Sequence, residues 1–382
     1  MINVFQPSLG DEEARAVREV FESNWLGHGK RTEEFEAAFG EHLGVGKEHL
    51  LFISSCTAGL FLAAKLLDLE PGDEVVMPTI SFVSAGNAFA DAGARPVFCD
   101  VDPRTLNPRV EDVERVLTPR TKAVCILHYG GYPGDVEAIS RLCRERGVAL
   151  VEDAACAVSS RSGGRACGTF GDIATWSFDS MKTLVTGDGG MLYVRDPELA
   201  ERARFLAYHG LRRGSGFSSA RVSPRWWELD VTDFGWRVLG NDVNAAIGNV
   251  QLAKLPANVA RRREVAHQYD RSLHGVEGVR LPPPLPEGDE TSHYFHWVQL
   301  DPAIRDDVAA DLLAADIYTT FRYPPLHKVP IYRSEAELPA AENASESTLL
   351  LPIHQALTDD DVKRVCEVLT ASVASRTAAV RN

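Results

Sequence analysis

Short apolar segments alternate with amphipathic ones through the first two thirds of this 382-residue chain, and this alternation constrains its fold most strongly. Residues 11–23 carry Ala14, Val17, Val20 and Phe21 at helical spacing. The segments that read as buried strands are 49–53, 74–77, 94–99, 121–127 and 148–152. Strands that alternate with helices predict an α/β fold, with a mainly parallel sheet covered by helices on both faces.

The pattern changes near residue 254, which predicts a second, smaller domain of α+β type. We expect a large domain at 10–254 and a small C-terminal domain at 255–382, with residues 1–9 packing on the latter. In the small domain, the pattern predicts helices at 258–272, 306–315 and 359–370 and a strand at 295–300. The small, polar tail at 372–382 is expected to be disordered.

The charge and composition of the chain limit the kinds of partner that it can bind. The formal net charge is −14, so the chain should repel nucleic acid and anionic membrane surfaces. No apolar run reaches membrane-spanning length and the N-terminus lacks a signal-peptide pattern, which predicts a cytoplasmic protein. The seven cysteines form no CxxC pair, so we expect reduced thiols and no metal site.

In sheets of this type, ligands bind beyond the carboxyl ends of the strands. The residues that follow the predicted strands are therefore the first candidates for a site. They are 54–57, 78–82, His128, Tyr129 and Asp153.

Lys182 lies in the loop SFDSMKTLVTGDGG, among apolar, hydroxyl and glycine residues. A lysine that forms an imine must be neutral, and partial burial favours the neutral amine. An acid such as Asp153 at a strand end suits the pyridine nitrogen of pyridoxal phosphate. The turn Ser55–Thr57 opens a helix whose N-terminus favours a phosphate, Ser177 adds a hydroxyl, and Phe82 is placed to stack on the ring.

Each of these residues also has an ordinary structural interpretation: a solvated lysine, an N-cap aspartate and a capping serine. Together, in this order, they predict a pyridoxal-phosphate site.

At these residues the chain resembles the DegT/DnrJ/EryC1/StrS family of sugar aminotransferases, and the resemblance covers nearly the whole chain. The similar segments are FESNWLGHGKRTEEFEAAFGEHLGV, SSCTAGL, MPTISFVSAGNAF, VEDAACA, SFDSMKTLVTGDGG and RYPPLHKVPIY. The resemblance implies a fold-type-I pyridoxal-phosphate transferase that works as a homodimer with a shared active site.

The resemblance also implies residue roles. Lys182 would hold the cofactor as an imine and Asp153 would pair with its ring nitrogen, so both are the catalytic candidates. The cofactor-binding candidates are Ser55, Cys56, Thr57, Phe82, Asp153, Cys156, Ser177, Lys182 and Arg237. The substrate-binding candidates are His28, Tyr129, Asp179, Arg322 and His327.

Four of these positions depart from the common family pattern. Cys156 stands where the family usually has Gln or His, and Asp179 where it usually has His. Arg237 stands where an Asn usually reaches the neighbouring chain's phosphate, so it is either a phosphate ligand or a structural surface arginine. Arg322 stands where His is frequent, and it either binds the substrate diphosphate or pairs with an acidic neighbour.

The resemblance implies L-glutamate as amino donor and a nucleotide-linked keto-sugar as acceptor. The lysine loop is most similar to enzymes that make 4-amino-4,6-dideoxy sugars for glycosylated natural products such as antibiotics. We therefore expect dTDP-4-keto-6-deoxy-D-glucose to give dTDP-4-amino-4,6-dideoxy-D-glucose, with a dTDP-3-keto-sugar 3-aminotransferase as the alternative.

Three other classes remain for comparison. A sugar dehydratase of the same fold has His in place of the lysine, so Lys182 argues against it. A non-catalytic regulatory or binding protein would not need the cofactor residues that this chain keeps. A nucleotide-dependent dehydrogenase is disfavoured because no GxGxxG follows the first strand.

Overall fold

A seven-stranded sheet lies at the centre of the protein, in a computed structural model that describes residues 1–212, 225 and 227–381. The strands are Leu50–Ile53 (β1), Glu74–Pro78 (β2), Arg95–Cys99 (β3), Thr121–Leu127 (β4), Ala149–Asp153 (β5), Arg161–Ser162 (β6), Arg165–Ala166 (β7), Ile173–Ser177 (β8), Gly190–Val194 (β9), His296–Gln299 (β10) and Thr348–Leu351 (β11). The order in the large sheet is β1–β9–β8–β5–β4–β2–β3, and only β9 runs antiparallel to its neighbours. The predicted mainly parallel sheet is confirmed.

Helices pack around this sheet because its strands are buried along nearly their whole length. The helices are Asp11–Ser23 (α1), Lys30–Leu43 (α2), Cys56–Leu66 (α3), Val83–Asp91 (α4), Val110–Glu114 (α5), Val136–Arg146 (α6), Pro197–Leu206 (α7), Asp242–Leu273 (α8), Pro302–Ala314 (α9), Pro339–Ser347 (α10) and Asp359–Arg381 (α11). Short 3₁₀ turns lie at Lys47–His49, Tyr129–Gly131, Leu326–Lys328 and Pro330–Tyr332.

Helix α8 begins sixteen residues earlier than the predicted 258–272 helix and continues through Pro256, as its bounds of 242 and 273 show. The expected domain boundary at 254/255 falls inside this helix. Asn241 caps its start by accepting a hydrogen bond from the Asn244 N–H (3.0 Å).

The C-terminal part is built on the antiparallel pair β10–β11, which α9 and α11 cover. The expectation of a disordered tail is wrong, because α11 extends to Arg381. Val373 is fully buried, and the Ser372 hydroxyl donates to Asp311 Oδ2 at 2.7 Å. These contacts supply the burial that keeps the tail helical.

The N-terminal residues contact the same C-terminal part. Ile2 forms a parallel bridge with Ile317, and the Ile353 N–H donates to the Val4 carbonyl (3.1 Å). Among the helices of the described residues, none is long and apolar enough to cross a membrane. The same residues contain no cluster of His, Cys, Asp and Glu side chains suited to a metal ion.

Candidate active site

A cavity of about 340 Å³ opens at the carboxyl ends of the parallel strands. This is the edge where ligands of such sheets bind. The cavity is lined by strand ends, by the start of α3 and by two segments from the C-terminal part. The lining residues are Ser55, Cys56, Thr57, Phe82, Ser84, Leu127, Asp153, Ala155, Ser177, Asp179, Met181, Lys182, Asp188, Tyr294, Arg322 and Tyr323.

Asp153 is the last residue of β5 and is only 2% exposed. Its Oδ1 accepts a hydrogen bond from the Ala155 N–H (3.1 Å), and the Cys56 Sγ lies 3.9 Å from the same oxygen. Burial raises the pKa of Asp153 above its ordinary value, although the Ala155 N–H, the Lys182 amine and His128 oppose the increase. A buried carboxylate of this kind binds a protonated ring nitrogen strongly because both charges are shielded from water.

Glu152 precedes Asp153, so its side chain faces the opposite side of the sheet. Its carboxylate accepts hydrogen bonds from the backbone N–H groups of Gly168 (2.6 Å) and Gly171, and His128 Nε2 lies 2.9 Å away. The other ring nitrogen of His128 lies 3.1 Å from the Pro133 carbonyl oxygen. Both ring nitrogens therefore face acceptors, which requires the doubly protonated, cationic imidazole.

Lys182 lies in a turn that begins where β8 ends. The Lys182 N–H donates to the Asp179 carbonyl (2.9 Å), and the Met181 N–H donates to the Asp179 carboxylate (3.0 Å). On the far side of the loop, the Asn244 side chain at the start of α8 donates to the Thr186 carbonyl (3.0 Å). These bonds present the half-buried Lys182 side chain to the cavity.

The start of α3 provides a site for an anion. Ser55 caps the helix by accepting a hydrogen bond from the Ala58 N–H (3.1 Å), and Cys56 and Thr57 of the first turn line the cavity. Free backbone N–H groups at a helix N-terminus attract phosphate. A Cβ at Gly190 on β9 would lie 2.6 Å from the Cys56 nitrogen, so only glycine fits behind this turn.

Two tyrosines that sequence reasoning missed close the cavity from the C-terminal part. Lys182 Nζ lies 4.5 Å from the centre of the Tyr294 ring. The Tyr323 ring lies 5.4 Å from that of Phe82, which is half exposed to the cavity. No local motif distinguishes Tyr294 from core residues, whereas Tyr323 lies in the segment RYPPLHKVPIY that resembles the family.

Burial works against the charged form of the Lys182 amine, yet Tyr294, Tyr323 and the nearby thiols raise the pKa of the amine well above its ordinary value. Phenols and thiols carry charge only at alkaline pH, so they exert this effect there. Near neutrality, the Asp153 carboxylate and the Tyr294 ring are the groups that favour the ammonium.

An amine, a buried acid, a helix N-terminus and an exposed aromatic ring thus face one cavity. These are the groups that pyridoxal phosphate needs for its carbonyl, its ring nitrogen, its phosphate and its ring face. The residues present therefore fit this cofactor.

Comparison with known proteins shows which family this chain belongs to. Residues 7–370 match the family model described as the DegT/DnrJ/EryC1/StrS aminotransferase family. The chain belongs to this aminotransferase family. A dTDP-4-dehydro-2,3,6-trideoxy-D-glucose 4-aminotransferase of Saccharopolyspora spinosa is 61% identical over 373 residues, covering 98% of this chain and 97% of that protein.

Two solved structures are similar to this aminotransferase along nearly their whole length. The aminotransferase TlmJ of Streptoalloteichus hindustanus has 60% identity and a TM-score of 0.94, with 98% of this chain and 99% of that chain covered. AtS13 of Actinomadura melliaura has 31% identity and a TM-score of 0.88, covering 97% and 98%. The predicted fold-type-I transferase, its enzymatic activity as an aminotransferase and its cofactor, pyridoxal phosphate, are confirmed.

The aminotransferase brings nine of its predicted site residues to the cavity wall. These are Ser55, Cys56, Thr57, Phe82, Asp153, Ser177, Asp179, Lys182 and Arg322. They come from separate strand ends and from the C-terminal part, so only the folded chain places them side by side.

Cys156 and Tyr129 lie behind the cavity wall. Cys156 is 2% exposed, and burial raises the pKa of its thiol to about 12, although the Lys182 amine lowers it, so the thiol stays protonated. Tyr129 is fully buried and packs against Phe295 and Trp297, with ring centres 5.2 and 5.8 Å away.

His327 and His28 lie outside the cavity lining, each beside a glutamate side chain. His327 Nδ1 lies 2.7 Å from the Thr79 hydroxyl and its Nε2 lies 3.0 Å from Glu342, so this ring joins the large sheet to the C-terminal part. His28 Nε2 lies 3.6 Å from Glu36.

The two arginines differ in position. The Arg237 guanidinium lies 5.3 Å from the Tyr208 ring centre, on the surface and outside the cavity lining of its own chain. Arg322 lies at the cavity mouth, where its guanidinium carbon is 5.0 Å from the Phe5 ring centre and its Nη2 is 3.7 Å from the Met181 sulfur. No carboxylate among the described residues forms an ion pair with Arg322, so its charge is available to an anion.

Proposed function

We propose that this enzyme transfers the amino group of L-glutamate to C4 of a dTDP-linked 4-keto-6-deoxy sugar. The observation that carries the proposal is the pairing of Lys182 and Asp153 in one cavity, in a chain 61% identical to a dTDP-sugar 4-aminotransferase. The product would be the amino sugar of a glycosylated natural product.

When bound, pyridoxal phosphate supplies a carbonyl that takes up the amino group and a ring that accepts electrons. Lys182 would hold this carbonyl, and its Nζ would move a proton when the amine is free. The Asp153 carboxylate would hold the proton on the ring nitrogen. The start of α3 and the Ser177 hydroxyl would hold the phosphate, and Phe82 would pack on the ring face.

Two sugars are candidates. The sequence favours dTDP-4-keto-6-deoxy-D-glucose, whereas the S. spinosa relative is named for the sugar that also lacks oxygen at C2 and C3. Phe82, Met181 and Tyr323 give the mouth of the cavity apolar walls, which suit a deoxygenated ring. The unpaired Arg322 charge at this mouth suits the substrate diphosphate.

The test is incubation of the purified enzyme with glutamate and both 4-keto sugars, with a dTDP-3-keto sugar as the third substrate. We expect amination at C4, read by NMR, and a rate about 10²–10⁴-fold lower in Lys182→Ala. Full turnover by Lys182→Ala would contradict the role of this lysine. A product aminated at C3 would contradict the position but not the chemistry.

We also propose a homodimer with a shared active site. The segment before α8 exposes a row of apolar side chains, which a partner surface would cover. They are Trp227, Leu229, Val231, Phe234 and Trp236. Arg237 follows this row and would then reach the phosphate in the partner subunit. Light scattering tests the dimer, and mixing Lys182→Ala with Arg237→Ala chains tests sharing, because hybrid dimers should regain one complete site.

A further inference from the structure

The structure shows where the amine of Lys182 lies when it is not bonded to a cofactor. Its Nζ lies 4.5 Å from the centre of the Tyr294 ring, on the side of the cavity formed by the C-terminal part. Tyr294 is 1% exposed, and its hydroxyl has no hydrogen-bond partner among the described residues. The Lys182 amine thus lies over the ring face of Tyr294. Burial raises the pKa of the Tyr294 phenol, and the nearby Lys182 amine opposes this rise.

A free lysine amine in this cavity must accept a proton and release it again. The charged form needs compensation because burial of the amine disfavours it. Asp153 cannot give this compensation throughout, because its carboxylate is needed by the ring nitrogen of the cofactor. An aromatic ring face attracts an ammonium without accepting its proton, and this attraction grows when both groups are desolvated.

The Tyr294 ring is itself held in place from the N-terminus. Phe5 stacks on it with ring centres 5.5 Å apart and an angle of 16° between the planes. Phe295 packs on it at 4.6 Å. The N-terminal segment that carries Phe5 is fixed to the C-terminal part by the bridge between Ile2 and Ile317. The position of the ring over Lys182 is thus built by residues from three separate parts of the chain.

We propose that Tyr294 is a positioning residue for Lys182, whose ring face holds the released ammonium within reach of the reacting carbon, with Phe5 fixing the ring. This rests on the proposed role of Lys182 as the cofactor-binding lysine. In this step the neutral Nζ would take the proton from the donor α-carbon and pass it on as the ammonium, while the cofactor ring would take up the electron pair of the broken C–H bond. No bond of Tyr294 forms or breaks.

Two substitutions separate the ring from the hydroxyl. Tyr294→Phe keeps the ring face, and Tyr294→Leu replaces it by a smaller aliphatic side chain. Tyr318→Leu is the matched control, because it removes an exposed tyrosine that does not line the cavity. Phe5→Leu keeps the Tyr294 ring but removes its stacking partner, and it serves as a second test if Tyr294→Leu does not fold.

The first measurement is the pH dependence of reductive methylation at Lys182, read by mass spectrometry in the full-length protein in its cofactor-free and pyridoxamine-phosphate forms. In Tyr294→Leu we expect the midpoint to fall by about one pH unit, whereas Tyr294→Phe and Tyr318→Leu should match the parent. The midpoint in Phe5→Leu should lie between that of Tyr294→Leu and that of the parent.

The second measurement is the exchange of the glutamate α-hydrogen with deuterated solvent, which should slow about tenfold in Tyr294→Leu and less than twofold in Tyr294→Phe. An unchanged midpoint in Tyr294→Leu overturns the proposal, and so does an equal loss in Tyr294→Phe, which would assign the effect to the hydroxyl. If Lys182→Ala retained turnover, the role of the lysine would fail, while the midpoint would still report whether the ring holds its ammonium.

Discussion

Replacing Glu152 by Gln should destabilise the protein strongly, because Glu152 and His128 form an ion pair that is fully buried behind Asp153. The carboxylate serves three donors: the N–H groups of Gly168 and Gly171 and the His128 ring at 2.9 Å. An amide has only one acceptor oxygen. Whichever way the Gln side chain turns, one buried backbone N–H then faces an NH₂ group.

The expected cost follows from these contacts. Breaking a buried ion pair by removing one charge costs about 3–5 kcal/mol. One orphaned buried N–H group costs about 1–3 kcal/mol, which is part of the same loss. His128 can release its proton and limit the penalty, so we expect the free energy of unfolding to fall by about 3 kcal/mol in Glu152→Gln.

The pair also predicts how stability depends on pH. Burial opposes the charged His128 ring, but contacts with Cys167 and Glu152 outweigh it and hold the pKa of His128 well above its ordinary value. In the unfolded chain a histidine titrates near pH 6.5. The stabilisation is therefore complete below about pH 6.5 and is lost as the pH rises through the folded-state pKa.

The assay is urea unfolding at fixed protein concentration, followed by tryptophan fluorescence from pH 6 to 9, for the parent, Glu152→Gln and His128→Gln. The decline in stability with rising pH should be present in the parent and weaker in His128→Gln. A free energy of unfolding in Glu152→Gln within about 0.5 kcal/mol of the parental value would refute the cationic pair. The same dependence of stability on pH in His128→Gln as in the parent would also refute it.

Three further changes test other parts of the structure. Gly190→Ala places a Cβ 2.6 Å from the Cys56 nitrogen, so cofactor affinity, measured by absorbance titration, should fall by about 1–3 kcal/mol, which is about 5- to 150-fold. Arg322→Gln should raise KM for the sugar nucleotide about tenfold and leave KM for glutamate nearly unchanged, as steady-state kinetics would show; equal effects on both would contradict a diphosphate role. Val373→Ala should lower the free energy of unfolding by about 2 kcal/mol in a urea titration, because the side chain is fully buried, and an unchanged value would mean that the tail does not pack.

Five of the seven strands of the large sheet were predictable because each is a short apolar run bounded by turn residues. The strands Ile173–Ser177 and Gly190–Val194 were not predicted. The strand at Thr121–Leu127 has the bounds that the sequence predicts. The strands predicted at 49–53, 74–77 and 94–99 differ by one residue at one end, and the strand predicted at 148–152 is shifted by one residue at both ends. The start of α8 was not predictable, because Pro256 ordinarily ends or kinks a helix. In the fold, packing of α8 against α1, α2 and α11 overrides this local preference.

The C-terminal tail is a second case in which packing overrides the local sequence preference. Residues 372–382 look disordered from composition alone, yet Arg376 pairs with Asp311 at 2.8 Å and Val373 enters the core. The helical propensity of these residues does not reveal that they are buried against a helix that is distant in the sequence.

The sequence by itself determined the chemistry of this protein. Lys182, Asp153 and the Ser55–Thr57 turn follow strand ends or open helices, so their order along the chain already indicates a pyridoxal-phosphate site, and the family resemblance identifies the reaction class. Only the tertiary structure decided what surrounds the lysine. Tyr294 lies more than a hundred residues from Lys182 along the chain, and a contact between such distant residues depends on how the whole chain packs rather than on any local pattern.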